Sequence, residues 1–381
     1  MDNNHFFNRA KPYLAVIFLQ FGSAGTAIIA KSALNQGMSH YTFAVYRSAI
    51  ATAVFAPFAI ILERKVRPRM TTSIFLKIML LGLLEPVIDQ NLYYTGLKYT
   101  TATFASAMCN ILPAITFLMA WILRLERVDI RRLHSQAKIV GTLVTVSGAM
   151  IMTLIEGPSV RFPWTKHKIH EQSTSATNQQ DSIKGALMIM SGCFCWACFY
   201  ILQAITLKSY PAVLSLTSLT CMMGALQGTI LTLVLERGKT TIWSIQWDTK
   251  LLAALYSGII SSGVMYYVSG TIVKEKGPVF VTVFNPLSMV IIAIMGSFIF
   301  AEQMDLGKVL GAVTIVAGLY MVIWGKSKDK SVSKLEESIS KLDGDRITPT
   351  DKQLDTWDDG KKTSYHESVD GSDAIPPHEA V

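Results

Sequence analysis

Apolar runs of about 20 residues recur along the chain, each closed by a short charged or turn-forming stretch. A helix rising 1.5 Å per residue needs about 20 residues to cross a hydrocarbon core of roughly 30 Å. The runs therefore predict ten transmembrane helices, at 12–31, 41–62, 74–94, 101–123, 136–155, 184–206, 212–235, 250–272, 278–300 and 307–325. Between them lie "LERKVRPRM" (62–70), "LRLERVDIRR" (123–132), "KEK" (274–276) and "KSKDK" (326–330). The fold class expected is all-α integral membrane protein, with the lipid bilayer as a partner.

The third segment departs from this pattern. Its apolar part, 74–84, is too short to span alone, so a spanning helix must continue through "EPVIDQNLYY" (85–94). That continuation carries Glu85, Asp89, Gln90, Asn91 and Tyr93 into the membrane. Glu85, Asp89 and Tyr93 are spaced by four and share a helix face. Pro86 removes a backbone donor and predicts a kink beside them.

An internal duplication organises the ten segments. "ILERK" (61–65) returns as "VLERG" (234–238), and "LRLERVDI" (123–130) as "IFAEQMDL" (299–306). "GTLVTVSGAMIM" (141–152) returns as "GAVTIVAGLYMV" (311–322), and Asn110 has a counterpart in Asn285. An ordered series at near-constant offset marks two copies. Five helices per copy is odd, so the second copy must enter the membrane inverted. Basic residues agree: Arg64, Lys65, Arg67, Arg69, Arg124, Arg127, Arg131 and Arg132 crowd the loops after segments two and four. The equivalent loops of the second copy are poor in them, whereas the loop after segment eight holds Lys274 and Lys276. By the positive-inside rule both termini are cytoplasmic.

The expected organisation is a cytoplasmic N-terminus (1–11), a first five-helix repeat (12–155), a polar extracytoplasmic linker (156–183), a second repeat (184–325) and a disordered cytoplasmic tail (326–381). The first apolar run is long enough to remain as a helix rather than leave as a signal peptide.

Composition supports this picture. The chain is 50% hydrophobic and 16% charged, well below the quarter usual for soluble domains. Its net charge of +8 comes from Lys and Arg that flank membrane segments, so it is not a nucleic-acid footprint. Cys109, Cys193, Cys195, Cys198 and Cys221 all fall in apolar segments and read as packing residues, not as disulfides or metal ligands. No phosphate loop, histidine set or nucleophile elbow is present. No enzyme, cofactor or metal is expected.

Inverted repeats are common among secondary transporters, which hold substrate near the midplane between the copies. Polar residues inside membrane segments are the candidates to line such a site. Beyond the third segment these are Gln20 in the first, Asn110 in the fourth, Trp196, Tyr200 and Gln203 in the sixth, Tyr266 in the eighth and Asn285 in the ninth. Each has a structural alternative. Glu85 either meets a ligand or pairs with a fixed arginine such as Arg47. Asp89 either lines the site or sits wetted near a mouth. Thr103, Ser106, Thr282 and Ser288 either line a cavity or bond back to their own helices. The aromatic residues either cage a ligand or pack. Glu126 and Glu302 read as loop anchors.

The phrases "LQFGSAG" (19–25), "ALNQGMS" (33–39), "TFASAMCNILPAITFLMA" (103–120), "LKSYPAVLSLTSLTC" (207–221), "GPVFVTVFNPL" (277–287) and "GAVTIVAGLYMVIWGK" (311–326) resemble plant nodulin-21-like, Walls-Are-Thin-related proteins. These are EamA-domain members of the drug/metabolite transporter superfamily, and the likeness spans about residues 10–326. The resemblance implies passive or gradient-coupled movement of small organic molecules. Amino acids are the usual cargo and auxin an alternative, across the plasma membrane in preference to the vacuolar membrane. A membrane scaffold or receptor signalling through the tail is the reading from another class. Oligomeric state is not encoded in these motifs.

Overall fold

The computed structural model describes residues 3–35, 37–97, 99, 105, 108–126, 131–155, 159–160, 179–236, 243, 249–299 and 304–328. Its helices are α1 (Asn3–Asn35), α2 (His40–Leu62), α3 (Thr72–Leu83), α4 (Gln90–Leu97), α5 (Leu112–Ile122), α6 (Leu133–Leu154) and α7 (Gln179–Ser209). They continue with α8 (Val213–Leu235), α9 (Thr249–Tyr256), α10 (Tyr266–Lys276), α11 (Pro278–Val283), α12 (Asn285–Ile299) and α13 (Leu306–Lys328). A two-residue ribbon pairs β1 (Ser159–Val160) with β2 (Met304–Asp305), antiparallel. Residues Met1–Trp324 form one compact unit and Gly325–Val381 another, of which only 325–328 are described.

Local chemistry sets the helix ends. Thr71 accepts a bond from the Ile74 amide at 3.4 Å, an N-cap for α3. Gly277, at φ 86°, ends α10 in a conformation that a side chain would resist, and its amide bonds the Val273 carbonyl. Pro278 then occupies the first turn of α11, where its missing N–H costs nothing.

Seven helices among the described residues are long and apolar enough to cross a membrane. Their outer faces are greasy at helical spacing, as with Leu226, Ile230 and Leu233 on α8, or Leu310, Val313 and Tyr320 on α13. This is a multi-pass membrane protein. The other three expected segments are α1, the composite α3–α4, and a fourth segment described mainly as α5.

Two interruptions shape the interior. Between α3 and α4, residues Leu84–Asp89 form a π-helical turn; between α9 and α10, Ser257–Met265 form another. In the first, Pro86 has no amide to give and its ring would crowd an α-helical carbonyl, which the wider turn relieves. The Gln90 amide reaches Glu85 O, the five-residue step of a π-turn. The ninth expected segment, formed by α11 and α12, breaks at Phe284, just before Asn285 and Pro286, and the chain turns at Asn110–Ile111 just before Leu112 and Pro113.

Helices with matching sequences pack against each other. On α6 and α13, a Cβ at Gly141 would lie 2.8 Å from Gly318 O, and one at Gly148 3.0 Å from Gly311 O. The order of these contacts makes the pair antiparallel, with backbones in direct touch. α2 and α8 are also antiparallel. Glu63, after α2, accepts from the Leu214 and Ser215 amides at 3.0 and 2.6 Å at the start of α8. Glu236, after α8, accepts from Ser39 Oγ at 2.7 Å, the residue preceding α2. The repeated "LER" motif therefore supplies a carboxylate to the other helix's N-terminus at each end.

Candidate functional site

The first π-turn packs against α2, α7 and α8. Gly224 on α8 leaves room for Pro86, whose Cβ would be 2.7 Å from an added side-chain carbon. With the turn held there, Glu85 points at α2, where Arg47 Nη2 stands 3.8 Å from its Oε1. Gln90 Nε2 donates to the same oxygen at 3.2 Å. Both charged side chains are 6% exposed. Glu85 Oε2 and Arg47 Nε have no hydrogen-bond partner among the described residues.

Asp89 faces α7 instead. A Cβ at Gly192 would lie 3.0 Å from its Oδ1, so that glycine clears the space the carboxylate fills. Asp89 is 7% exposed. Beside it, Cys193 Sγ lies 3.6 Å from Cys109 Sγ, two free thiols beyond the 2.05 Å of a disulfide. Among these buried groups two carboxylates confront one guanidinium.

Of the residues expected from sequence, Glu85, Asp89 and Gln90 meet in this cluster. Tyr200 lies on α7, the helix that packs against the first π-turn. Trp196 stacks on Tyr200, with ring centroids 6.2 Å apart, and Phe199 links that helix to Tyr266 at 5.7 Å. Gln203 follows on the same helix against Gly270. Buried oxygen atoms of Gln20, Gln203 and Tyr266 have no partner among the described residues.

The remaining candidates go elsewhere. Asn91 donates to Val87 O at 2.6 Å and so serves its own π-turn. Tyr93 turns to the small cluster of Ala105, Ile189 and Cys193. Asn110 donates to Met289 Sδ at 2.9 Å, tying the fourth segment to α12. Asn285 sits at the break in helix nine, where its carbonyl accepts from Ser288. Thr282 bonds back to its own helix, as do Thr116, Thr142 and Thr145. Thr103, Ser106 and Glu302 lie outside the described residues. Glu126 meets Lys138 at 3.4 Å and anchors its loop to α6.

Sequence reasoning treated Arg47 only as a brace for Glu85 and left it out of the site. A signal existed: it is the one charged side chain within the α2 apolar run. It also missed the hydroxyl of Ser257; this group and that of Ser262, which the eighth segment offered beside Tyr266, are buried in the second π-turn without partners among the described residues.

The chain matches the EamA-like transporter family twice, over residues 10–154 and 183–324. A WAT1-related protein of Arabidopsis thaliana is 59% identical over 333 residues, covering 87% of this chain and 89% of that one. A second from the same plant is 55% identical over 361 residues, covering 95% and 93%. A solved crystal structure superposes with a TM-score of 0.62 over 82% of this chain and 98% of the other. At 15% identity that likeness concerns the fold alone. The chain belongs to the EamA-like family of the drug/metabolite transporter superfamily, among the WAT1-related members. It is a multi-pass membrane transporter of small molecules, from a family of transporters and not of enzymes.

Proposed function

We propose that the protein moves amino acids across the plasma membrane by alternating access between two inverted five-helix repeats. The repeats are those expected at 12–155 and 184–325, with both termini and the 326–381 tail in the cytoplasm. The antiparallel contacts of α2 with α8 and of α6 with α13 support the inversion, because each joins equivalent helices about a shared two-fold relation.

One observation carries the substrate reading. A buried guanidinium and a buried carboxylate stand 3.8 Å apart with unpaired polar atoms on both signs of charge, and a second buried carboxylate, Asp89, lies in the same π-turn. A zwitterion complements such a set: its ammonium satisfies carboxylate oxygens and its carboxylate satisfies guanidinium N–H groups. Leaving these atoms dry and unmatched costs about 1–3 kcal/mol each, so a polar ligand gains by replacing the water lost there. Glu85, Asp89 and Gln90 form the charged part of the site. Trp196, Tyr200, Gln203, Tyr266 and Gln20 form its wall, while Asn110 and Asn285 mark the helix breaks beside it.

The experiment is efflux of a panel of radiolabelled amino acids and indole acids from oocytes, at two external pH values. Saturable amino-acid flux in wild type, falling in Glu85→Gln at equal surface expression, is the expected result. No flux of any amino acid would overturn the substrate class, and an unchanged Glu85→Gln would remove Glu85 from the site.

A further inference from the structure

One of the two sequence readings of Glu85 makes Arg47 a brace of the bundle. Its geometry is poor for that purpose. A lasting arginine–carboxylate pair in a dry interior is normally short and bidentate, at about 2.7–2.9 Å. Here the single approach is 3.8 Å, with Nε unpaired on one side and Oε2 unpaired on the other. Glu85 shares its one engaged oxygen with Gln90. Both partners of this buried pair therefore have open valence.

Arg47 also stands on α2 between the two π-turns. Its side chain faces Glu85 in the first. Its backbone carbonyl would lie 2.9 Å from a Cβ at Gly258 in the second. Arg47 itself thus meets both π-turns, one through its side chain and one through its backbone.

We propose that Arg47 is the residue that recognises the substrate's carboxylate, with Glu85 as its displaceable resting counter-ion. The incoming carboxylate takes the guanidinium fork in two parallel N–H···O bonds. Glu85, released from Arg47 but still held by Gln90, turns its open oxygen to the substrate's ammonium. The charged groups exchange partners without any of them being left unpaired in the membrane interior. Selectivity for molecules with a free carboxylate follows, because an amide or ester offers Arg47 no second anionic oxygen. This inference rests on the reading of the chain as an amino-acid carrier.

The test compares L-leucine, L-leucinamide and 4-methylpentanoate as competitors of radiolabelled amino-acid flux, in wild type and in Arg47→Lys. Lysine keeps the positive charge that a brace needs but loses the planar fork. The expected result is at least about tenfold preference for leucine over leucinamide in wild type, collapsing to near equality in Arg47→Lys at matched surface expression. Equal competition by leucine and leucinamide in wild type overturns the proposal and leaves the amino-acid reading standing. So does an undiminished preference in Arg47→Lys. If no amino acid is carried but 4-methylpentanoate inhibits flux of an indole acid in an Arg47-dependent way, the amino-acid reading fails and the role of Arg47 stands. Should Arg47→Lys not reach the surface, Arg47→Gln/Glu85→Gln removes both charges together, and loss of the acid-over-amide preference in its ligand-induced thermal stabilisation is the expected result. Retention of the preference there overturns the proposal.

Discussion

The two π-turns occupy equivalent places, about 173 residues apart, yet differ in what they carry. The first holds Glu85, Pro86 and Asp89; the second holds glycines and serines, with Gly258 near the position matching Glu85. Both widen a membrane helix where the opposite half packs on it: Pro86 against Gly224 of α8, and Gly258 against Ile50 of α2. The shared geometry belongs to the duplicated framework. The charge belongs to one half only. A duplicated scaffold thus supplies two equivalent bends, and an asymmetric site arises by placing ionisable groups at one of them.

The largest break in that comparison is expected from stranding a charge at the first turn. Glu85→Ala leaves Arg47 buried without its counter-ion and is expected to destabilise by about 3–5 kcal/mol. Thermal unfolding in detergent reads it, and Arg47→Met/Glu85→Met is expected to recover most of the loss. Recovery separates the electrostatic cost from simple loss of packing.

Overfilling the second turn comes next. An added Cβ at Gly258 falls 2.8 Å from Ile50 Cβ, and one at Gly263 collides with Phe55. Gly258→Leu is expected to cost about 1–3 kcal/mol, visible as a lowered melting temperature, while Gly37→Ala, in open space but at φ 85°, loses about 1–2 kcal/mol from backbone strain alone.

The two carboxylate caps give a smaller contrast. Glu63 satisfies two backbone amides at the start of α8, whereas Glu236 takes one hydroxyl at the start of α2. Glu63→Ala is expected to cost about 1–2 kcal/mol and Glu236→Ala about half that. Equal losses would show that the caps are energetically interchangeable despite their different partners.

The smallest effect is expected from Ser262→Ala. Its buried hydroxyl has no partner among the described residues, so removing it should be neutral or stabilising within about 0.5 kcal/mol. A loss above about 1 kcal/mol would mean that the hydroxyl holds an ordered water or ligand, and the second turn would then be a chemical site as well as a bend.

Much of the frame was legible from local pattern. Apolar length marked the seven helices among the described residues that are long and greasy enough to cross a membrane, and the short greasy part before Glu85 pointed to a carboxylate carried within a helix, which the structure buries. Pro86 announced a kink, though not that it would be a π-turn. The "LER" repeat was visible, but its work was not, since Glu63 and its partner amides are about 150 residues apart. Asp89 and Glu85 were expected on one face. The structure turns them toward different neighbours, α7 and α2, because Gly192 opens one space and Arg47 fills the other.

The sequence by itself marked the apolar runs long enough to cross a membrane, the duplication that the two family matches repeat, and the few polar residues within those runs. These follow from composition and spacing over one helix length, because a backbone in lipid must satisfy its own hydrogen bonds. Only the tertiary structure decided which polar groups meet. Helix–helix packing brings Arg47 to Glu85 and Cys109 to Cys193, and it leaves each pair short of full bonding. Such distances depend on how glycines let distant helices approach, a quantity no local window of sequence contains.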